Sequence, residues 1–244
     1  MNTLDEAARP YFFAGVGCGD GCGDGCGDGC GDAKPQAIIA RMLAKLMSLF
    51  LLGLIRALTG AQARWQGCPP KAEQRIYFAN HQSHADLVLM WAALPAELRS
   101  ITRPIAARDY WTKTPFKQWL TTAVFNAIYV DRVKTGEQDP LEPLMEALSN
   151  GDSIILFPEG TRGNQEEPQN FKSGLFNLAQ KFPHVVLVPA WINNVQRVMP
   201  KGEVVPVPIL CSVTFGAPIA VAAQEARIDF LIRARQAVLD LRET

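Results

Sequence analysis

The chain has 244 residues, 48% of them apolar, and its 24 basic and 24 acidic residues leave a formal net charge of zero. That length and apolar content suffice to bury a substantial core, which excludes a disordered protein. The charge balance argues against a nucleic-acid binder.

The zero is an average over two unlike pieces. Residues 17–32 read GCGD four times in tandem and hold four of the six cysteines, Cys18, Cys22, Cys26 and Cys30. Residues 1–32 contain one basic residue, Arg9, and six acidic ones, so 23 basic and 18 acidic residues follow, a net of +5. The uniform C-x3-C spacing is not the paired C-x2-C of common zinc sites, so no metal site is assigned to it. Its glycines cost ordering entropy and bury little, and residues 1–36 are expected to form a disordered leader. Outside the repeat only Cys68 and Cys211 remain, which suits a reducing compartment rather than a disulfide framework. Asp5 and Glu6 near the start, with no apolar run directly after, give no cleavable signal pattern.

Ala37 to Leu58 is strongly apolar, and Leu46 to Ile55 carries no charge. Ten helical residues span about 15 Å, against roughly 30 Å of bilayer hydrocarbon. Arg41, Lys45, Ser48 and Arg56 share one narrow stripe, and the rest of the circumference is Leu, Ile, Met, Phe and Ala. That is the layout of a helix lying in a membrane interface with its basic side chains at the head groups. Residues 37–66 are therefore expected to form a membrane-associating helix, peripheral or monotopic, ahead of a folded body over 67–244.

Within that body apolar strand-like runs alternate with helical patterns. Strands are expected over Arg75–Ala79, Ile105–Ala107, Ala127–Val130, Ser153–Phe157 and Val185–Val188. Helices are expected over Asp86–Leu94, Tyr110–Phe125, Pro140–Leu148 (capped by Asp139, with Gly151 past its end), Ser173–Phe182 and Glu225–Leu241. Val204–Phe215 reads as one or two strands at a sheet edge, because Pro206 and Pro208 interrupt it. The alternation predicts an α/β fold, a mostly parallel sheet flanked by helices.

Three features fall at the ends of predicted strands, where open α/β sheets place their sites. Asn80-His81-Gln82-Ser83-His84-Ala85-Asp86 follows the first strand. Four residues separate His81 from Asp86, enough for a strand-to-helix turn to fold the carboxylate onto the imidazole. Asp86 then fixes the tautomer and leaves the other ring nitrogen as a general base. Phe157-Pro158-Glu159-Gly160-Thr161-Arg162 ends another strand, with Gly160 for a tight backbone approach and Arg162 as a planar fork for phosphate. Val188-Pro189-Ala190-Trp191-Ile192 follows a third, with apolar side chains for an acyl groove. His81, His84 and Asp86 superficially offer three metal ligands, but no HExxH is present and no metal is assigned. Asn80 and Ser83 are read as holding the turn together.

In chain order the sequence shows NHQSHAD, then Tyr129-Val130-Asp131-Arg132, then FPEGTR followed by Phe171-Lys172-Ser173-Gly174, then VPAWI. This ordered set, from about Arg75 to Gly216, resembles the glycerolipid acyltransferase family, which includes the 1-acylglycerol-3-phosphate acyltransferases. The resemblance implies direct transfer from an acyl thioester, acyl-CoA or acyl-carrier protein, to a lysolipid hydroxyl. No other cofactor is implied, and the lack of a GxSxG elbow agrees with a reaction that needs no acyl-enzyme. It implies His81 as base, Asp86 as its partner, and Glu159, Gly160, Thr161 and Arg162 as the acceptor-binding motif. Arg132 matches a further basic position facing the phosphate. Arg108 stands nearest to an upstream Lys of the family, one residue out of alignment. Val188, Pro189 and Trp191 fall in the motif assigned to the acyl groove, with an indole where a small or aliphatic residue is usual. Two alternatives stand beside this reading: another lysolipid acceptor such as lyso-ornithine lipid, and an inactive acyltransferase-like protein with a metal-binding Cys-rich leader. The implied place is the cytoplasmic face of the inner membrane.

Overall fold

The computed structural model describes residues 35–60, 62–83, 85–131, 139–163, 167–193 and 210–242. Residues 1–34 of the leader, with the GCGD repeat, lie outside them, as do His84, Arg132 and residues 204–209; residues 35 and 36 already belong to a helix.

A seven-stranded sheet organises the body, in the order β1-β7-β6-β2-β5-β3-β4. The strands are β1 (Gln62–Trp65), β2 (Arg75–Ala79), β3 (Thr102–Ala107), β4 (Ile128–Val130), β5 (Ser153–Leu156), β6 (Val186–Asn193) and β7 (Ser212–Phe215). All neighbours are parallel except β6 and β7. The central β2, RIYFA, is buried at every position, the continuous apolar run that a parallel strand covered on both faces requires. Its one charge, Arg75, is buried and bonded: the guanidinium donates to Glu73 Oε1 at 2.6 Å and to the Pro69 carbonyl at 2.8 Å, tying the turn before β2 to its start.

Strand parity divides the core. Ile76, Phe78, Ile154, Leu187 and Trp191 face the layer that contains α6 (Glu142–Ser149), α7 (Gly174–Lys181) and α8 (Arg227–Leu239). Tyr77, Ile155, Val188, Ala190 and Val213 face the layer that contains α2 (Asp86–Ala93) and the short α3 (Ala96–Ser100). The expected mostly parallel α/β sandwich is the observed one.

Three expectations change in detail. The helix expected over Tyr110–Phe125 is broken into α4 (Arg108–Trp111), α5 (Pro115–Trp119) and a π-helical turn (Leu120–Val124). Thr114 accepts the Lys117 amide and Pro115 takes the first helical position, so a new helix starts there. β7 is not at the sheet edge, because β1 pairs outside it in parallel. β1 was expected to be helix; the helix ends at Thr59, and Gly60 at φ +67° turns the chain into the sheet.

That helix, α1 (Pro35–Thr59), has 25 residues and spans about 37 Å. Ile38–Thr59 is long and apolar enough to cross a membrane. Leu51, Leu52 and Ile55 pack against the core on the α2 side of the sheet. Ile38, Ile39, Met42, Leu43, Leu46, Leu49, Phe50 and Leu54 are exposed. An apolar face of that extent marks a membrane-associated helix.

Candidate active site

Because β2 and β5 are parallel neighbours, the segments that follow them leave the sheet at the same edge. His81 follows β2 by two residues, and Phe157 to Gly163 follow β5. The sequence places both motifs at strand ends, and the sheet register brings them together.

The loop after β2 is held from both sides. Asn80 is buried and pairs twice with Ile192 of β6: its Oδ1 accepts the Ile192 amide at 2.8 Å and its Nδ2 donates to the Ile192 carbonyl at 3.1 Å. This side-chain pair extends the β2–β6 ladder past Ala79 and fixes where His81 starts. Ser83 Oγ accepts the Ala85 amide at 3.2 Å and closes the turn into α2.

The imidazole Nδ1 of His81 lies 2.9 Å from Asp86 Oδ2. The same oxygen accepts the amides of Gln82 at 2.6 Å and Ser83 at 2.8 Å. Asp86 is 1% exposed and is the first residue of α2, where the helix dipole favours negative charge. An oxygen that already accepts two N–H groups acts as a carboxylate acceptor toward His81, so Nδ1 donates and Nε2 keeps its lone pair. The ring stacks on Phe157, centroids 4.4 Å apart at 17°, which fixes its plane.

Glu159 is held by the protein's own backbone. It is 2% exposed, and both oxygens are committed to backbone: Oε1 accepts the His81 amide at 2.7 Å and Oε2 the Gln169 amide at 2.8 Å. Burial raises its pKa, and the bonds from Gln169 and His81 oppose that rise. The Gly163 amide donates back to the His81 carbonyl at 2.9 Å. Glu159 thus clamps the β2 loop to the β5 loop.

Gly160 adopts φ +72°, which favours glycine, and the Lys172 side chain lies across it: a Cβ there would stand 2.6 Å from Nζ. Thr161 and Arg162 are exposed. Thr161 and Lys172 border a polar cavity of about 410 Å³ beside this turn. Arg108 is half exposed and pairs with Asp131 at 3.2 Å, beyond the C-terminal ends of β3 and β4. The Arg132 expectation lies outside the described residues.

A second cavity, about 190 Å³ and largely apolar, has His81, Phe157 and Gly160 in its wall. The rest of its lining includes Ile105 and Ala107 of β3, Val130 of β4, Leu156 of β5, and Leu141 and Leu144 at α6. This corrects the groove expected at Val188, Pro189 and Trp191. Those three are buried in β6: Val188 is in the core on the α2 side, Trp191 in the core under α6 to α8, and none lines the cavity. Sequence reading missed the cavity wall because its residues come from three strands and two helices far apart in the chain. Lys172 had a signal, the FKSG string after FPEGTR. Among the described residues no group of three or more His, Cys, Asp or Glu is gathered as a metal site.

Comparison with known proteins fits this geometry. The family model described as Acyltransferase matches residues 66–193, just over half of the chain. The 1-acyl-sn-glycerol-3-phosphate acyltransferase alpha of Homo sapiens is 31% identical over 165 residues, covering 65% of this chain and 55% of the human one. A chloroplastic 1-acyl-sn-glycerol-3-phosphate acyltransferase of Arabidopsis thaliana is 28% identical over 139 residues, covering 57% of this chain and 37% of that one. The chain therefore spans about half the length, or less, of these curated relatives. The crystal structure of the 1-acyl-sn-glycerophosphate acyltransferase of Thermotoga maritima shares the fold, with a TM-score of 0.61 at 22% identity over 85% of this chain and 83% of that one. The matched segment runs from the end of β1 to the end of β6 and contains His81, Asp86 and the Glu159–Arg162 turn, and on that match the chain belongs to the acyltransferase family.

Proposed function

We propose that the protein transfers an acyl group from an acyl thioester to the free hydroxyl of 1-acylglycerol-3-phosphate, forming phosphatidate. The observation that carries this reading is His81, paired with Asp86 behind it, in the wall of an apolar cavity. His81 Nε2 takes the proton of the acceptor hydroxyl as its oxygen attacks the thioester carbonyl. The tetrahedral intermediate collapses, the C–S bond breaks, and the imidazolium returns its proton to the leaving thiolate. Asp86 stabilises the imidazolium between the two transfers. The thioester is already activated, so no enzyme nucleophile is required.

The cavity lined by Val130, Leu144 and Leu156 takes the acyl chain, and Arg162, with Arg108 and Arg132, supplies positive charge for the phosphate. Gly160 and Thr161 shape the turn that presents Arg162. The donor is acyl-CoA or acyl-carrier protein, the lysolipid arrives from the membrane, and the body lies on the cytoplasmic face of the inner membrane. Cys68 and Cys211 are buried thiols rather than a disulfide, which is consistent with that reducing side.

The test is purified full chain with lysophosphatidate and a panel of acyl thioesters, read by phosphatidate formation. No product with any donor, from protein that is folded, overturns the reading; turnover of a different lysolipid replaces the acceptor only. Val130→Phe reads the cavity. It narrows the cavity from a half-buried position, so kcat/KM falls on the order of tenfold for long-chain donors relative to short ones. An unchanged chain-length profile removes the cavity from the reaction.

A further inference from the structure

The crossover from β3 to β4 presents an aromatic and basic surface that the reaction does not use. Between Tyr110 and Trp119 stand four aromatic residues, Tyr110, Trp111, Phe116 and Trp119, in a chain that is 9% aromatic overall. Trp111 turns back onto the core and anchors the segment. Phe116 does not: it is 60% exposed, with Trp119 beside it at 6.2 Å between ring centroids. Lys117 lies over the Tyr110 ring at 4.1 Å, and Lys113 is exposed on the turn between α4 and α5. Neither lysine forms an ion pair among the described residues.

We infer that Tyr110–Trp119 docks on an anionic lipid surface as a second membrane contact beside α1. Two observations commit it to lipid. The first is continuity: α5 runs straight into the π-helical turn on which α1 packs, and Leu120 and Val124 of that turn share a core with Leu51, Leu52 and Ile55 of α1. Phe116 precedes Leu120 by about one helical turn, on the short helix that leads directly into the turn against which α1 packs. The second is the side-chain chemistry. An exposed phenyl group beside an amphipathic indole, flanked by two lysines with long apolar stems, matches the boundary between head groups and acyl chains. Water offers Phe116 nothing in return for its exposure. The inference does not depend on the reaction assigned above.

The experiment uses the full chain in vesicles of phosphatidylcholine containing phosphatidylglycerol and compares Phe116→Trp with the unsubstituted protein. The position is exposed, so the added indole reports without repacking the core. The expected difference emission is blue-shifted, quenched by brominated phosphatidylcholine and protected from iodide. Adding Lys113→Gln and Lys117→Gln lowers the ratio of docked to undocked segment on the order of 30-fold at low salt, while α1 keeps the protein on the vesicle. Emission that is quenched by iodide and untouched by brominated lipid overturns the proposal. So does emission that ignores the vesicle but shifts on adding a soluble acidic acyl-carrier protein, which would assign the surface to a protein partner instead.

Discussion

Replacing His81 by alanine lowers turnover with lysophosphatidate about 10²–10⁴-fold, the range of a positioned general base, and leaves the thermal melt close to that of the unsubstituted protein. The ring is 19% exposed and among the described residues its one hydrogen bond is to Asp86, so its removal takes little from the core. Asp86→Asn separates geometry from charge. The amides of Gln82 and Ser83 hold an oxygen at the Oδ2 position whichever residue supplies it, so the ring stays oriented while the negative charge beside the imidazolium is lost. A loss of about 10²-fold is expected from that charge. Combining the two substitutions costs little more than His81→Ala alone, because Asp86 acts only through His81. An alanine variant that keeps more than about a tenth of the turnover would remove His81 from the chemistry.

Glu159→Gln lowers kcat about 10²-fold, with KM for the acceptor little changed. A carboxylate has two acceptor oxygens, and both are in use, one for the His81 amide and one for the Gln169 amide. A glutamine side chain has one acceptor and one NH2, so one amide then faces a second donor. That costs about 1–3 kcal/mol of stability, visible as a lower melting temperature. The β2 loop also loses its fixed distance from the β5 loop, and small displacements of a base cost catalysis heavily. The kcat-against-KM split decides the role. A rise in KM at constant kcat would place Glu159 on the acceptor, as the motif alone implies, and would sink the clamp.

Much of this site is legible in the chain, and the reasons are physical. β2 and β5 read as short apolar runs because parallel strands are buried on both faces, and each run ends directly before its motif. Once both lie in one parallel sheet, His81 and Gly160 must share an edge. β1 was not legible: Gln62, Ala63 and Arg64 are exposed, and four residues without alternation carry no period. Thr114-Pro115 did signal a helix start inside the run expected to be one helix. The acyl groove failed for a different reason. An apolar string such as VPAWI fills a core or lines a cavity equally well, and the choice belongs to distant residues, here Leu141 and Leu144. Glu159 reads from the sequence only as part of an acceptor motif; that its two oxygens accept backbone amides depends on His81 and Gln169.

The reversal of direction between β6 and β7 has a consequence for where the chemistry happens. Ser212 pairs with Asn193 at the end of β6, so β7 and its parallel neighbour β1 both begin at the edge where β2 ends. The Thr59 carbonyl at the end of α1 accepts the Cys211 amide at that edge. The tether and the base therefore share one rim of the sheet. A bilayer that holds α1 holds that rim against its own surface, and under the proposed reaction a lysolipid would reach His81 by lateral diffusion within the leaflet. Turnover then follows the mole fraction of acceptor in the surface rather than its concentration in the bulk. Diluting the vesicles changes little, whereas diluting the acceptor among inert lipids slows the enzyme.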